Sequence, residues 1–185
     1  TLFPYTTLFL SMNGYKVIVN KSTSPVGTAQ AVKQTVNQVL KERSKEIPFD
    51  IVSNPEFLRE GSAVNDFMHP DRIVIGAESP DAFDRMKELY RTCYQTAIPI
   101  VETNFETAEM IKYASNAYLA MKVTFINEIA NVCEKLGADV QLVAEAMGLD
   151  NRIGPSFLKA GPGYGGSCFP KDASALVRMA EDCGE

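Results

Sequence analysis

Hydrophobic and polar positions follow two different periods along this chain. Tyr15 to Asn20 (YKVIVN) is a short β-branched run and reads as a strand. Lys21 to Gly27 (KSTSPVG) interrupts it with Pro25 and Gly27. From Thr28 to Arg43 the apolar residues Ala31, Val32, Val36, Val39 and Leu40 share one helical face. Phe49 to Val52 predicts a second strand, after which Asn54 caps a helix that Pro55 opens. Arg72 to Gly76 (RIVIG) is a third strand. Ser79 caps a helix that Pro80 opens and that runs to about Thr92, and Pro99 to Glu102 is a fourth short strand. Strands alternating with helices predict a parallel α/β sheet.

The pattern then changes. Thr103 and Glu106 have the spacing of a capping box, T-x-x-E. A helix is predicted from Asn104 to Leu136, ending at Gly137 and about 50 Å long at ~1.5 Å per residue. Ile111, Ala114, Leu119, Ile126, Ile129, Ala130, Cys133 and Leu136 recur along it at roughly helical spacing. A helix of that length exceeds one small core, so part of it is expected to pack on a partner chain. A shorter helix follows from Asp139 to Met147. Asn151 to Lys171 is rich in Gly and Pro, and Asp172 to Asp182 closes the chain as a helix.

Composition narrows the class. The chain has 185 residues, 45% of them hydrophobic and 22% charged, as expected for a folded protein rather than a disordered tail. Its net charge of −5, with no basic block, argues against nucleic acid or an anionic membrane as partner. No apolar run approaches the ~20 residues that span a bilayer. Four cysteines lie far apart without a CxxC, and there is one histidine, His69, so no metal site is expected. Scattered cysteines favour a reducing, cytoplasmic setting. The uncharged opening, TLFPYTTLFLS, has no amphipathic period and no basic region. It looks like the translation of a sequencing adapter. Residues 1–13 are accordingly read as a non-native segment, with the natural sequence starting near Met12 or Gly14.

The strongest chemical signal is Gly161 to Asp172, GPGYGGSCFPKD. Glycines let backbone approach a ligand closely. A thiol at a helix start with Lys171 near it can act as a nucleophile. The alternative is a small buried cysteine after a Gly-rich turn. That alternative is kept for Cys93, Cys133 and Cys183, while the glycines, Lys171 and Asp172 favour chemistry at Cys168. Lys112 and Asn116 lie four apart on the long helix, hence on one face. A lysine facing a cleft stabilises an oxyanion and an asparagine orients a hydroxyl or water, against the alternative of a solvated face. Glu56 and Glu60, in NPEFLREG, follow a predicted strand at the edge where open α/β sheets bind ligands. A carboxylate there can serve as a general base; the alternative is an acidic first helical turn. Thr23, at the end of the first strand, is a weak signal taken alone, and His69 reads as structural.

KSTSPVGT, NPEFLREGSAVNDF, HPDRIVIG, ETAEMIKYASNAYLA and GGSCFPKD occur in that order. Over residues 14–185 the chain therefore resembles the UDP-glucose 6-dehydrogenase branch of the UDP-glucose/GDP-mannose dehydrogenase family. Phe169 leans the resemblance toward UDP-glucose, since GDP-mannose relatives usually carry Leu there. The resemblance implies that residues 14–103 are the C-terminal part of a Rossmann-like NAD-binding domain. Residues 104–185 would then be a helical central domain that dimerises through the long helix and carries the catalytic cysteine. It implies oxidation of UDP-glucose to UDP-glucuronate with two NAD, through a thiohemiacetal and then a thioester on Cys168. Lys112 would stabilise the oxyanion, while Asn116 and Asp172 would hold water and polar intermediates. Glu56 would be the general base and Thr23 would help to place water. Thr23, Glu60 and Lys171 match positions at the cofactor. Substrate positions match Glu56, Phe57, Leu58, Lys112, Asn116 and the stretch Phe157, Leu158, Lys159, Gly161, Tyr164 and Gly165. Arg152 matches an arginine that reaches the neighbouring subunit's substrate.

Two departures qualify the resemblance. No GxGxxG turn joins the first strand to the first helix, where the family holds the NAD pyrophosphate on a helix N-terminus, and the chain ends before the family's C-terminal nucleotide-binding domain. The fragment alone is therefore expected to bind NAD weakly and to turn over little or nothing. The rival readings are another nucleotide-sugar 6-dehydrogenase of the GDP-mannose type, or a non-catalytic dimerisation module.

Overall fold

The computed structural model describes residues 12–94 and 97–185; the opening segment 1–11 lies outside them. It forms two compact units, the first running to Lys112 and the second spanning Tyr113–Glu185.

In the first unit, strand β1 (Lys16–Asn20) leads through helix α1 (Thr28–Glu42) to β2 (Phe49–Ser53). Helix α2 (Ala63–Met68) precedes β3 (Ile73–Gly76), and α3 (Pro80–Cys93) connects β3 to β4 (Ile100–Thr103). The sheet order is β1-β2-β3-β4. β1 pairs with β2 in parallel, Lys16 opposite Phe49 through Asn20 opposite Ser53, and β3 pairs with β4 in parallel. The two pairs meet antiparallel, at the single bridge Ser53–Gly76. The sheet is thus α/β but mixed rather than wholly parallel. Apolar period and strand spacing look the same for either direction, so the sequence pattern could not reveal this.

Each strand pair has its own apolar support. Val36, Val39 and Leu40 of α1 bury against Ile18, Ile47 and Phe49, and Met12 joins them. Ala82, Met86 and Tyr90 of α3 bury against Val52, Ile73 and Ile75. Ser79 caps α3 as expected, its side chain accepting from the Ala82 amide at 3.1 Å.

Three expected helix starts are corrected. No helix begins at Asn54 and Pro55: the chain stays irregular until Ser62, and Asn54 is buried. Its side chain bridges β3 and α3 and so is not free to cap. The long helix α4 (Phe105–Leu136) is capped by Asn104, which accepts from the Thr107 amide at 2.9 Å, while Thr103 belongs to β4. The last helix, α6 (Phe169–Cys183), begins three residues before Asp172. The short helix α5 (Val140–Gly148) is capped by Asp139.

Gly76 is where β3 meets the first turn of α4. A Cβ there would sit 2.6 Å from the Ala108 Cβ and 2.7 Å from the Asn104 carbonyl oxygen. Neither neighbour is the loose end of a flexible side chain. Gly76→Ala is expected to cost about 1–3 kcal/mol, as for other overpacked sites. Urea denaturation of the chain measures this. A loss below about 0.5 kcal/mol, the scale of an ordinary surface change, would show that α4 can shift to make room.

Candidate active site

The buried face of α4 is unusual for its polarity. Phe105, Ala108, Glu109, Lys112, Tyr113, Asn116 and Ala120 are all buried, at spacings of three and four residues. The face therefore differs from the apolar one read from sequence: Ala114 is exposed and Leu136 is 77% exposed. Counting only apolar positions hid a stripe in which Glu109, Lys112 and Asn116 alternate with apolar neighbours.

In the first unit, Lys112 is 4% exposed, so it is not part of a solvated face. Its ammonium lies 3.6 Å from a Glu56 carboxylate oxygen and 5.3 Å from the centre of the Phe57 ring. The opposite side of this constellation is Arg72, whose guanidinium stacks 3.6 Å from the Phe57 centroid. Glu56 does not lie in a helical turn. One of its oxygens accepts from the Leu58 amide at 2.6 Å, which curls the loop tightly. Downstream, the Arg59 side chain and amide both donate to Asp66, and the Ser62 hydroxyl adds a third tie. The Arg59 side-chain hydrogen bonds hold the Asp66 carboxyl well below the usual carboxylate range. The loop that carries Glu56, Phe57, Leu58 and Glu60 is thus pinned at its far end. Leu58 and Glu60 are exposed.

Thr23 lies half-buried in the segment that follows the carboxyl end of β1. That segment runs into the N-terminus of α1, where Gly27 takes a left-handed φ of 95° and offers no side chain as a cap. Glu109 supplies the cap instead. Its carboxylate accepts from the Gly27 amide at 2.7 Å and the Ala29 amide at 2.8 Å. Burial pushes the Glu109 carboxyl above the usual range, partly offset by those amides. Sequence reasoning missed Glu109. It reads as one more acid on a helix, with its partners 80 and 82 residues away.

This arrangement bears on how a dinucleotide would fit. The N-terminus of α1 already holds a carboxylate, and the segment Lys21–Gly27 that leads into it has a single glycine, Gly27. Thr23 and Glu60 lie in the segments that follow the carboxyl ends of the parallel strands β1 and β2, the edge where open α/β sheets bind ligands.

In the second unit, Cys168 is exposed and stands at the N-terminus of α6, its sulfur 3.8 Å from the Ser167 hydroxyl. It is therefore not the small buried cysteine of the alternative reading. Cys133 is buried, as that reading has it, whereas Cys93 and Cys183 are exposed at helix C-terminal ends. Asp172, in the first turn of α6, is 1% exposed. It accepts from the Asn116 amide group at 2.6 Å and pairs with Lys171. The bond to Asp172 raises Lys171 above its ordinary value, and Cys168 contributes in the same direction. Asn116, Asp172 and Lys171 are therefore one connected group beside the cysteine turn.

The stretch after α5 is also organised. Phe157 takes a left-handed φ of 65°, a costly conformation for a bulky residue. Phe169, next to Cys168, packs between it and Tyr164, with ring centres 5.9 Å and 6.0 Å away. Leu158 is buried, Lys159, Gly161 and Gly165 are exposed, and the Gly161 amide donates to Asn127 at 3.0 Å. A groove of 640 Å³ runs alongside, lined by Asn127, Asn131, Gly161 and Tyr164 among others. Arg152 is exposed and held by a fork of bonds to Asp150. Lys122, nearly buried, donates to the Ile153 and Gly154 carbonyls and so fixes the turn that presents Arg152. Nothing in the local sequence marks Lys122 for this role. Among the described residues there is no cluster of acidic, His and Cys groups able to hold a metal, and no helix long and apolar enough to cross a membrane.

Residues 6–94 match the NAD binding domain of the UDP-glucose/GDP-mannose dehydrogenase family, and residues 106–185 match its central domain. The chain is 56% identical over 173 residues to the UDP-glucose 6-dehydrogenase TuaD of Bacillus subtilis, covering 94% of this chain and 36% of that protein. Among solved structures, a UDP-glucose dehydrogenase from the archaeon Pyrobaculum islandicum superimposes with a TM-score of 0.85 at 42% identity, over 95% of this chain and 39% of that one. A GDP-mannose dehydrogenase from Pseudomonas aeruginosa gives 0.69 at 32% identity, over 96% of this chain and 42% of that one. The chain thus spans well under half the length of the relatives it matches. Two adjoining domain models of one family, together leaving only residues 1–5 and 95–105 unmatched, identify the chain as a member of the UDP-glucose/GDP-mannose dehydrogenase family.

Proposed function

We propose that this chain carries the catalytic segment of a cytoplasmic UDP-glucose 6-dehydrogenase, which oxidises UDP-glucose to UDP-glucuronate. The observation that supports it best is an exposed Cys168 at a helix N-terminus, followed within one turn by a buried Asp172 tied to Asn116. Thr23, Glu60 and Lys171 would hold NAD at its nicotinamide end, and two NAD bound in succession would supply the hydride acceptors, the first for oxidation of the C6 alcohol to the aldehyde and the second for oxidation of the thiohemiacetal. The Cys168 sulfur adds to the C6 aldehyde, and the carbonyl electron pair moves to oxygen, giving a thiohemiacetal. Lys112 stabilises that oxygen as charge develops on it. After oxidation at C6 the carbon is a thioester. Glu56 takes a proton from the attacking water, which Thr23 helps to place, and the sulfur leaves. Asn116 and Asp172 hold the water and polar groups. Glu56, Phe57 and Leu58, with Phe157, Leu158, Lys159, Gly161, Tyr164 and Gly165, surround the sugar nucleotide. Arg152 reaches the substrate of a second copy. The two copies join through α4, whose outward side exposes Tyr118, Met121, Phe125 and Val132.

No glycine-rich turn lies between β1 and α1 to hold a pyrophosphate, so the chain alone is expected to give no steady NADH. The test is a chimaera in which this chain replaces the aligned 173 residues of TuaD. It is expected to form NADH with UDP-glucose at least about tenfold faster than with GDP-mannose, the lower end of discrimination by a single pocket contact. A folded chimaera that oxidises neither substrate would leave the dimerisation reading in its place. Preference for GDP-mannose would shift the substrate assignment.

A further inference from the structure

We propose that Lys21 is a positioning residue, which with the buried Asn54 and Tyr90 forms a partly buried polar brace that fixes the roots of the Thr23 and Glu56 loops relative to each other. The proposal rests on the reading that Thr23 and Glu56 belong to the reaction centre. Asn54 is 1% exposed and is bonded at every polar position it has on its side chain. Its Oδ1 accepts from the Lys21 ammonium at 2.8 Å and from the Tyr90 hydroxyl. Its Nδ2 donates to the Val74 carbonyl at 2.7 Å, and its backbone amide donates to the Asn20 carbonyl at 2.8 Å. The Lys21 ammonium also donates to the Tyr90 hydroxyl at 3.0 Å. One residue thereby gathers the end of β1, the end of β2, strand β3 and helix α3.

Position along the chain gives this brace its meaning. Lys21 stands two residues before Thr23, and Asn54 two before Glu56. The far end of the second loop is pinned by Arg59 and Asp66, so the brace completes its anchorage. Lys21 is exposed along its stem, while its ammonium is drawn in against Asn54 and Tyr90, and that desolvation lowers it from its ordinary value. The opposing influence on Lys21 is the charge of Glu56, which places that carboxylate within its field. Lys112 faces Glu56 from α4. A polar network whose buried side chains are all bonded fixes geometry more sharply than apolar packing does, and general-base chemistry depends on such geometry.

Two variants test this: Lys21→Met, which removes the ammonium, and Tyr90→Phe, which keeps the ring and removes one hydroxyl. In the chain itself, the Lys21 ammonium is expected to give a slowly exchanging proton–nitrogen signal that disappears or moves in Tyr90→Phe. Amide exchange at Phe57–Glu60 is expected to quicken about tenfold in Lys21→Met, with the core of β2 and β3 unaltered. In the TuaD chimaera, Lys21→Met is expected to lower kcat about tenfold or more while KM for UDP-glucose changes less than about twofold. Unchanged loop exchange, or a kcat equal to that of the parent chimaera, would overturn the proposal. If the parent chimaera itself is inactive, the functional reading fails and the exchange and ammonium measurements still decide the brace. If Lys21→Met does not fold, Tyr90→Phe decides it by the same measurements.

Discussion

Cys168→Ser in the TuaD chimaera is expected to lower UDP-glucuronate formation by a factor of about 10⁴ or more, the scale seen when a covalent nucleophile is removed. Serine fills nearly the same space, and the Asn116–Asp172 bond does not involve the sulfur. Substrate binding and thermal stability should therefore stay within a small margin of the parent. The local structure offers the proposed attacking atom two advantages. Cys168 is exposed, and it lies at the positive end of the α6 dipole. Cys183, on the same helix, lies at the negative end and is also exposed. One helix thus holds an internal control. In the unmodified chain, iodoacetamide near neutral pH should label Cys168 about tenfold faster than Cys183, with buried Cys133 slowest. Peptide mass spectrometry reads the three rates side by side. Equal rates at Cys168 and Cys183, together with an active Cys168→Ser chimaera, would remove the covalent mechanism.

Glu109→Ala is expected to cost the chain about 2–4 kcal/mol. The substitution leaves two amides at the start of α1 without an acceptor, in a place where Ala29 is fully buried. Each buried unsatisfied donor costs about 1–3 kcal/mol. Glu109→Gln retains one acceptor oxygen and turns a donor toward the other amide, so it should fall between the two. The pH dependence gives an independent check. Burial raises the folded-state carboxyl above its unfolded value. Between those two values the folded chain binds more protons than the unfolded chain, so stability falls as pH rises through that interval and levels off above it. Glu106, one turn earlier on α4, adds to this in the same direction. Glu109→Gln should flatten that part of the stability profile, measured by urea denaturation from pH 4 upward. A profile identical to the parent's would show that Glu109 is solvated in the folded chain.

The two units differ in how much of their chemistry could be read in advance. Cys168 stands out in the sequence because four glycines, a lysine and an aspartate crowd around it within twelve residues. Local density of that kind survives without a fold. Lys112 and Asn116 were visible as a helical pair, yet a lysine on a helix is more often solvated, and only the folded chain shows Lys112 buried beside Glu56. Asn54 was misread as a helix cap because its neighbour Pro55 opens helices elsewhere. Its actual partners are Lys21, Val74 and Tyr90, up to 36 residues away. Glu109 and Lys122 gave no local signal at all, since each acts on backbone far along the chain.

By itself the sequence determined the order of strands and helices, and the strand positions to within a residue, because apolar periodicity and Gly or Pro breaks act over a few residues. It also determined the family, because several long motifs occur in one order. Only the tertiary structure decided the direction of the β2–β3 join, the polar stripe along α4 and the two ties at the roots of the Thr23 and Glu56 loops. Strand direction leaves no mark on side-chain alternation. A buried charge is stable only against partners brought from distant parts of the chain, so its burial becomes visible when those partners are in place.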